Sequence, residues 1–159
     1  MVVRIEEPME KMRICREILN LLPEWFGIPE SVEEYVKGSA GRRMWAEICA
    51  GEVRGFLVRK ETSCYTAEID VMGVKPQYHR MGVGRALFRQ FRADTEAEGY
   101  EYIQVKTVRE GCYPEYDRTN AFYKSLGFRE LECFPMLWGE HNPCQIYIRT
   151  ARKGDADDR

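Results

Sequence analysis

Apolar residues recur along the chain with two different periods, and each change of period marks a new element. Met12, Cys15, Ile18, Leu19 and Leu22 form one stripe at helical spacing, so Met9–Leu22 is expected to be an amphipathic helix that Pro23 ends. Ser31 is placed to cap a second short helix carrying Val32, Tyr35 and Val36. Ahead of both, Val2–Glu6 reads as a short strand. Met44–Ala50 and Val53–Lys60 are extended runs joined around Gly51, as in a hairpin. Tyr65–Val74 predicts a further strand, with Gly73 near its end and Pro76 closing it. Val83, Leu87 and Phe91 share one face of a helix over Gly82–Glu98, which Gly99 stops. Tyr102–Val108 returns to strand spacing. The loop Glu110–Asp117, rich in Gly, Pro and Tyr, leads to a short helix over Thr119–Leu126 that Gly127 stops. Phe128–Phe134 and Gln145–Thr150 close the chain as an antiparallel pair.

A strand, a helix and a strand in succession imply a crossover that leaves the two strands parallel. The expected fold class is α/β, bordering α+β: a mixed, mostly antiparallel sheet of six or seven strands with a central parallel pair and helices on both faces. One domain is expected over residues 1–150, with 151–159 a disordered polar tail.

Composition narrows the function classes. The 159 residues carry a formal net charge of −2, which gives no electrostatic reason to expect nucleic acid or an anionic membrane as partner. No apolar run approaches the ~20 residues that span a bilayer. The N-terminus lacks the apolar segment of a signal peptide, so a cytoplasmic location is the expectation. The six cysteines, Cys15, Cys49, Cys64, Cys112, Cys133 and Cys144, are scattered through apolar patterns and read as reduced and buried. Only His141 and Cys144 approach metal-ligand spacing, and no Cys-x-x-Cys accompanies them, so no metal is expected.

The most informative stretch is Val74–Leu87, a strand end running through a short loop into a helix. Gly82 and Gly84 sit where the helix should begin, beside Arg80 and Arg85. The unpaired N–H groups of a first turn, with the positive end of the helix dipole, make an anion site. Glycine there lets a phosphate reach the main chain. A dinucleotide site fits poorly: Gly82-Val83-Gly84-Arg85-Ala86-Leu87 ends in leucine where a third small residue is needed, and no acidic residue closes a following strand.

His79-Arg80-Met81-Gly82-Val83-Gly84 resembles the pyrophosphate loop of the GNAT (GCN5-related N-acetyltransferase) superfamily, Gln/Arg-x-x-Gly-x-Gly/Ala, with histidine at the Gln/Arg position. Asn120–Phe128 is similar to the late helix of that superfamily, which ends in Tyr-x-x-x-Gly-Phe. The resemblance spans about residues 43–150. It implies an acyl-CoA N-acyltransferase fold and acetyl-CoA as cofactor, moving an acetyl group to a primary amine of a small molecule or protein by direct attack in a ternary complex. The alternative it leaves is a non-catalytic acyl-CoA-binding or sensing domain. The diphosphate would lie on His79, Arg80, Met81, Gly82, Val83, Gly84 and Arg85. In superfamily terms the main chain of Val71, Met72, Gly73 and Val74 would pair with pantetheine and supply an oxyanion donor. Asn120 is a further candidate contact to the coenzyme, although a solvated helix face also accounts for it.

Two side chains are candidates for proton transfer. Strand alternation puts Glu68, Asp70 and Met72 on one face and Ala67, Ile69 and Val71 on the other. A carboxylate on an internal strand needs a reason to be there. Glu68 lies eleven residues before His79, similar to the spacing of the general base in the histone-acetyltransferase branch. Asp70 is its rival, and a structural pairing of Glu68 with Arg54 is the other reading. Tyr123 is the candidate general acid, since a phenol with an unperturbed pKa near ~10 can protonate a thiolate whose conjugate acid lies near ~8.5. The matching tyrosine of the superfamily commonly lies beside the coenzyme sulfur. Trp25, Phe26, Tyr113, Tyr116 and Trp138 would either border an amine acceptor or fill the core. The closing strands would allow a homodimer about a two-fold.

Overall fold

The computed structural model describes residues 1–158. Its elements follow the order β1 (Val2–Ile5), α1 (Pro8–Asn20), α2 (Pro29–Ser39), β2 (Arg43–Cys49), β3 (Glu52–Glu61), β4 (Thr66–Val74), α3 (Val83–Ala97), β5 (Tyr102–Val108), α4 (Pro114–Ser125), β6 (Arg129–Phe134) and β7 (Cys144–Thr150). Short 3-10 turns occupy Pro76–Tyr78 and Asp155–Asp158. The seven strands form one mixed sheet, ordered β1-β2-β3-β4-β5-β7-β6, in which β4 and β5 run parallel. The expected α/β class and central parallel pair are therefore present.

Internal contacts gather into two compact units: Met1–Lys60 with Ile69–Asp94, and Glu61–Glu68 with the chain from Thr95 onward. In the first unit, β1, β2 and β3 pair antiparallel, with Trp45 opposite Leu57 and Ala46 opposite Phe56. Met44, Ala46, Phe56, Val58 and Val71 pack under α1 and α2 together with Ile14, Ile18 and Val36. Trp45 points the other way and meets Phe91 of α3 edge-on at 5.3 Å. Helices thus cover both faces, which is why β2 and β3 are buried along successive residues and not at alternate ones. The Glu7 carboxylate caps α1, accepting from the N–H groups of Met9 and Glu10 at 3.0 and 2.7 Å. α2 starts at Pro29, two residues ahead of Ser31, so proline at the first turn and not a serine cap opens it.

In the second unit, β7 lies between β5 and β6, antiparallel to both, and β6 bulges at Leu131. α4 begins at Pro114 and absorbs half of the segment expected to be a loop. Its tyrosine ring, Tyr123, stacks among Phe122, Phe128 and Tyr147 at centroid distances of 5.6, 5.7 and 6.4 Å.

Two expectations are corrected. Residues 151–159 are expected to be a disordered tail; residue 159 lies outside the described residues, and 151–158 folds back on the second unit. Arg149 donates to both oxygens of Asp157 at 3.0 and 2.9 Å, and also to the carbonyl oxygens of Leu126 and Arg152. Both side chains are almost fully buried, at 6% and 4% exposure. A buried guanidinium requires a carboxylate, and the polar tail supplies it. Among the cysteines, Cys15 and Cys144 are buried, but Cys49, at the end of β2, and Cys64 and Cys112, in bends outside the strands, are exposed.

These features set two expected outcomes. Asp157→Asn leaves the guanidinium without its counter-charge and should cost about 3–5 kcal/mol, read as a lower urea midpoint at unchanged slope. An unaltered midpoint would mean that the tail is not docked. In native protein near pH ~8, Cys49, Cys64 and Cys112 should alkylate readily. Cys15 and Cys144 should react only after denaturation, because burial pushes their thiols up to about 12 and about 11.

Candidate active site

The first unit carries the glycine turn. Tyr78 and His79 close the 3-10 turn after β4 through their N–H groups, onto the carbonyls of Lys75 and Pro76. The backbone then takes left-handed dihedrals at Arg80, φ 61°, and Gly82, φ 80°. Glycine adopts the second of these without a Cβ penalty. The first intrahelical bond of α3 is Ala86 N–H to Gly82 O, at 3.0 Å. The amides of Val83, Gly84 and Arg85 precede it and lie at the positive end of the helix dipole. This arrangement fits a diphosphate: adjacent donors, and a left-handed turn that leaves open space where a Cβ on Gly82 would lie.

Charged groups brace the turn. Lys75, 8% exposed, pairs with Glu17 at 2.9 Å and Glu52 at 3.4 Å. The hydrogen bond from Lys75 to Glu17 raises the ammonium pKa. Tyr78 OH donates to Glu52 at 2.7 Å and holds that carboxyl below its usual range. Arg54 stacks over the Tyr78 ring at 5.3 Å and donates twice to Glu47 at 2.6 Å. Within this unit the Arg54 guanidinium is taken up by Glu47. His79 sits at the head of the loop, with Nε2 2.7 Å from the Val74 carbonyl oxygen. A carbonyl only accepts, so Nε2 carries the proton and ties the loop to the strand end. Its ring also meets Trp25 edge-on at 6.0 Å. Met81 is exposed.

On β4, Gly73 faces α1 and the turn after it: a Cβ there would stand 3.1 Å from both Ile18 and Leu22. Val71 belongs to the core beneath α1 and α2. Asp70 does not compete freely for the base role, because Arg42 donates to its Oδ2 at 2.7 Å. Its charge also acts on Cys15 in that same core. Strict alternation would put Asp70 and Val71 on opposite faces; instead both address the α1–α2 side, and the expected pattern slips there.

The second unit holds Glu68, Tyr123 and Asn120. Glu68 is 5% exposed. Its Oε1 accepts from Gln104 Nε2 at 2.6 Å and pairs with Lys106 Nζ at 3.2 Å. Oε2 takes part in neither contact, so the carboxylate is anchored by one oxygen and presents the other. Gln104 and Lys106 escaped the sequence reading. The available signal was alternation on β5, where both lie between the buried Ile103, Val105 and Thr107 and so share one face.

Asn120 departs from the expectation of a solvated helix face. It is fully buried, donates to the carbonyls of Val108 and Tyr116 at 2.9 and 2.6 Å, and accepts from Tyr147 OH at 2.5 Å. Both amide protons are spent within the fold, so it does not lie on a solvated helix face. It locks α4 to β5 and β7. Among the described residues, no group of three His, Cys, Asp or Glu is placed to hold a metal ion, and no helix is long and apolar enough to cross a membrane.

A family model described as an acetyltransferase (GNAT) domain matches residues 40–130. The chain belongs to the GNAT acetyltransferase family. Solved structures of this family share its fold. A GNAT-family protein from Desulfovibrio desulfuricans superposes with TM-score 0.80 at 18% identity, covering 96% of this chain and 99% of its own. An aminoglycoside 6'-N-acetyltransferase complexed with coenzyme A gives 0.76 at 16%, covering 97% and 98%. The ribosomal-protein-S18-alanine N-acetyltransferase of Escherichia coli gives 0.73 at 18%, covering 98% and 97%. A comparison with curated proteins finds no match by sequence. At these identities the GNAT neighbours establish the fold and leave the acceptor open.

The role of Asn120 can be tested directly. Asn120→Ala strands two buried carbonyls and a buried hydroxyl, and should lower unfolding free energy by about 2–3 kcal/mol in chemical denaturation. Coenzyme A affinity of the folded fraction should stay within a few-fold. A selective loss of coenzyme affinity at full stability would instead make it a ligand contact.

Proposed function

We propose that this GNAT protein is an acetyl-CoA-dependent N-acetyltransferase that acetylates a primary amine of a small molecule or protein. The observation that carries the reading is the first turn of α3, where left-handed backbone at Arg80 and Gly82 aligns amides that no intrahelical bond uses. In this proposal the amides and side chains from Arg80 to Arg85 hold the diphosphate. His79 acts by fixing the loop, and the main chain of Val71–Val74 runs beside the pantetheine arm. Coenzyme A in one neighbouring structure and acetyl-CoA in another support the cofactor. An aminoglycoside and a ribosomal-protein alanine, named for two neighbours, are both amine acceptors, which supports an amine here.

The thioester, when bound, supplies an activated acetyl group. What the chain adds is positioning and proton transfer. Glu68, held by Gln104 and Lys106 through Oε1, takes the ammonium proton of the acceptor at Oε2. Tyr123, nearly buried among aromatic rings, returns a proton to the departing sulfur. Positioning is the largest of these contributions, on the order of 7–11 kcal/mol in well-oriented systems.

Melting temperature measured with acetyl-CoA, coenzyme A and NAD should rise with the first two alone. Saturation at 100 times Kd corresponds to about 2.7 kcal/mol. Glu68→Gln and Tyr123→Phe should then lower thiol release with an amine panel by about 100- to 10,000-fold while coenzyme affinity changes little. Binding without thiol release from any amine would turn the reading to a sensing domain. No thermal response to coenzyme A would remove it altogether.

A further inference from the structure

The contact partners of Glu68 include an amine that the proposed reaction has not yet used. We propose that Lys106 is itself an acetyl acceptor, modified at Nζ by its own chain when acetyl-CoA is supplied. This rests on the reading of Glu68 as the base. A competent acceptor must bring its nitrogen within about 2.6–3.2 Å of that carboxylate. Lys106 Nζ already stands 3.2 Å from Glu68 Oε1. The side chain of Lys106 is 32% exposed against 6% for Glu68, so the amine can be reached while the base is shielded.

The neighbourhood favours nitrogen over the other groups present. Gln104 donates to the same Oε1, but a carboxamide nitrogen is no nucleophile at neutral pH. Cys144 senses the charges of both Glu68 and Lys106, yet it is fully buried, and burial keeps its thiol protonated. Lys106 is fixed in place by its strand, paired with Ile146 of β7, with Val105 and Thr107 buried on either side.

The step balances without a further reactant. Glu68 takes one proton from the Lys106 ammonium, and the freed lone pair forms the N–C bond to the acetyl carbonyl carbon. The C–S bond breaks with its electron pair on sulfur. The second amine proton leaves with that sulfur, so free thiol departs and the proton on Glu68 exchanges to solvent. The product is a neutral amide where a cation stood.

The full chain should be incubated with acetyl-CoA and no added amine, then followed by intact mass and peptide mapping. Lys106 should gain an acetyl group ahead of the exposed Lys37 and Lys153. The rate at Lys106 should fall about 100-fold or more in Glu68→Gln, and Lys106→Arg should remove that site from the map. If added amines are acetylated while Lys106 stays unmodified, this inference falls and the proposed function stands. Equal rates at Lys106 and Lys153, indifferent to Glu68→Gln, would mean solution chemistry only and also overturn it. No transfer to any amine, with no thermal response to coenzyme A, would sink the proposed function too.

Discussion

A missing side chain on β3 decides where the first turn of α3 lies. A Cβ on Gly55 would stand 3.0 Å from Val83, 3.2 Å from Leu87 and 3.0 Å from the Gly73 carbonyl oxygen. Those contacts are tighter than packed side chains ordinarily make, so α3 sits directly on the bare strand. Val83 is the first residue of α3 and belongs to the group of amides ahead of its first hydrogen bond. The anion-binding turn is thus positioned by packing against the sheet, and its donors need no side chain to aim them. Gly73 plays the matching part toward α1, with Ile18 and Leu22 against it. Layers on both faces approach the same stretch of sheet because two residues have nothing to push back with.

The buried carboxylates of the sheet differ in how fully they are satisfied, and that difference separates structural groups from a candidate base. Glu47 has both oxygens occupied, by Arg54 Nε and Nη2 and by the amino group of Met1. The Arg54 hydrogen bonds hold it below the usual carboxylate range. Such a group is held ionised, with a donor on each of its oxygens. Glu68 is buried as deeply but receives its donors on one oxygen. Burial alone would not have distinguished the two; the count of occupied oxygens does.

Much of this was legible from residue order. The β5 boundaries, the helix after the glycine turn and the antiparallel closing pair follow from periodicity and punctuation, which are local properties. What escaped was long-range satisfaction of polar groups. Nothing local in the tail's sequence shows that Arg149, on β7, is buried and needs Asp157. Nothing in α4 says that Asn120 turns inward toward Tyr147. The partner of Glu68 was sought at Arg54 because arginine is the usual mate of a buried carboxylate. Register decided otherwise: Gln104 and Lys106 come from the parallel strand, beyond the crossover helix, and sequence patterning did not fix their alignment with β4.

On the proposed reading, with Glu68 as the base, the resident pairing with Lys106 also bears on how an acceptor is chosen. A lone buried carboxylate would draw any cation from a distance, whereas one paired with an ammonium presents a short dipole whose field decays faster. Attraction then acts only at contact, and a bulky or weakly bound amine gains little from charge. Discrimination must come from shape and apolar contact at the surfaces it touches. Within the second unit the exposed side chains that offer such contact are concentrated in β6 and the segment after it: Leu131, Phe134, Met136, Leu137 and Trp138. These are the residues with unspent apolar area, and therefore those with free energy left to give to a partner.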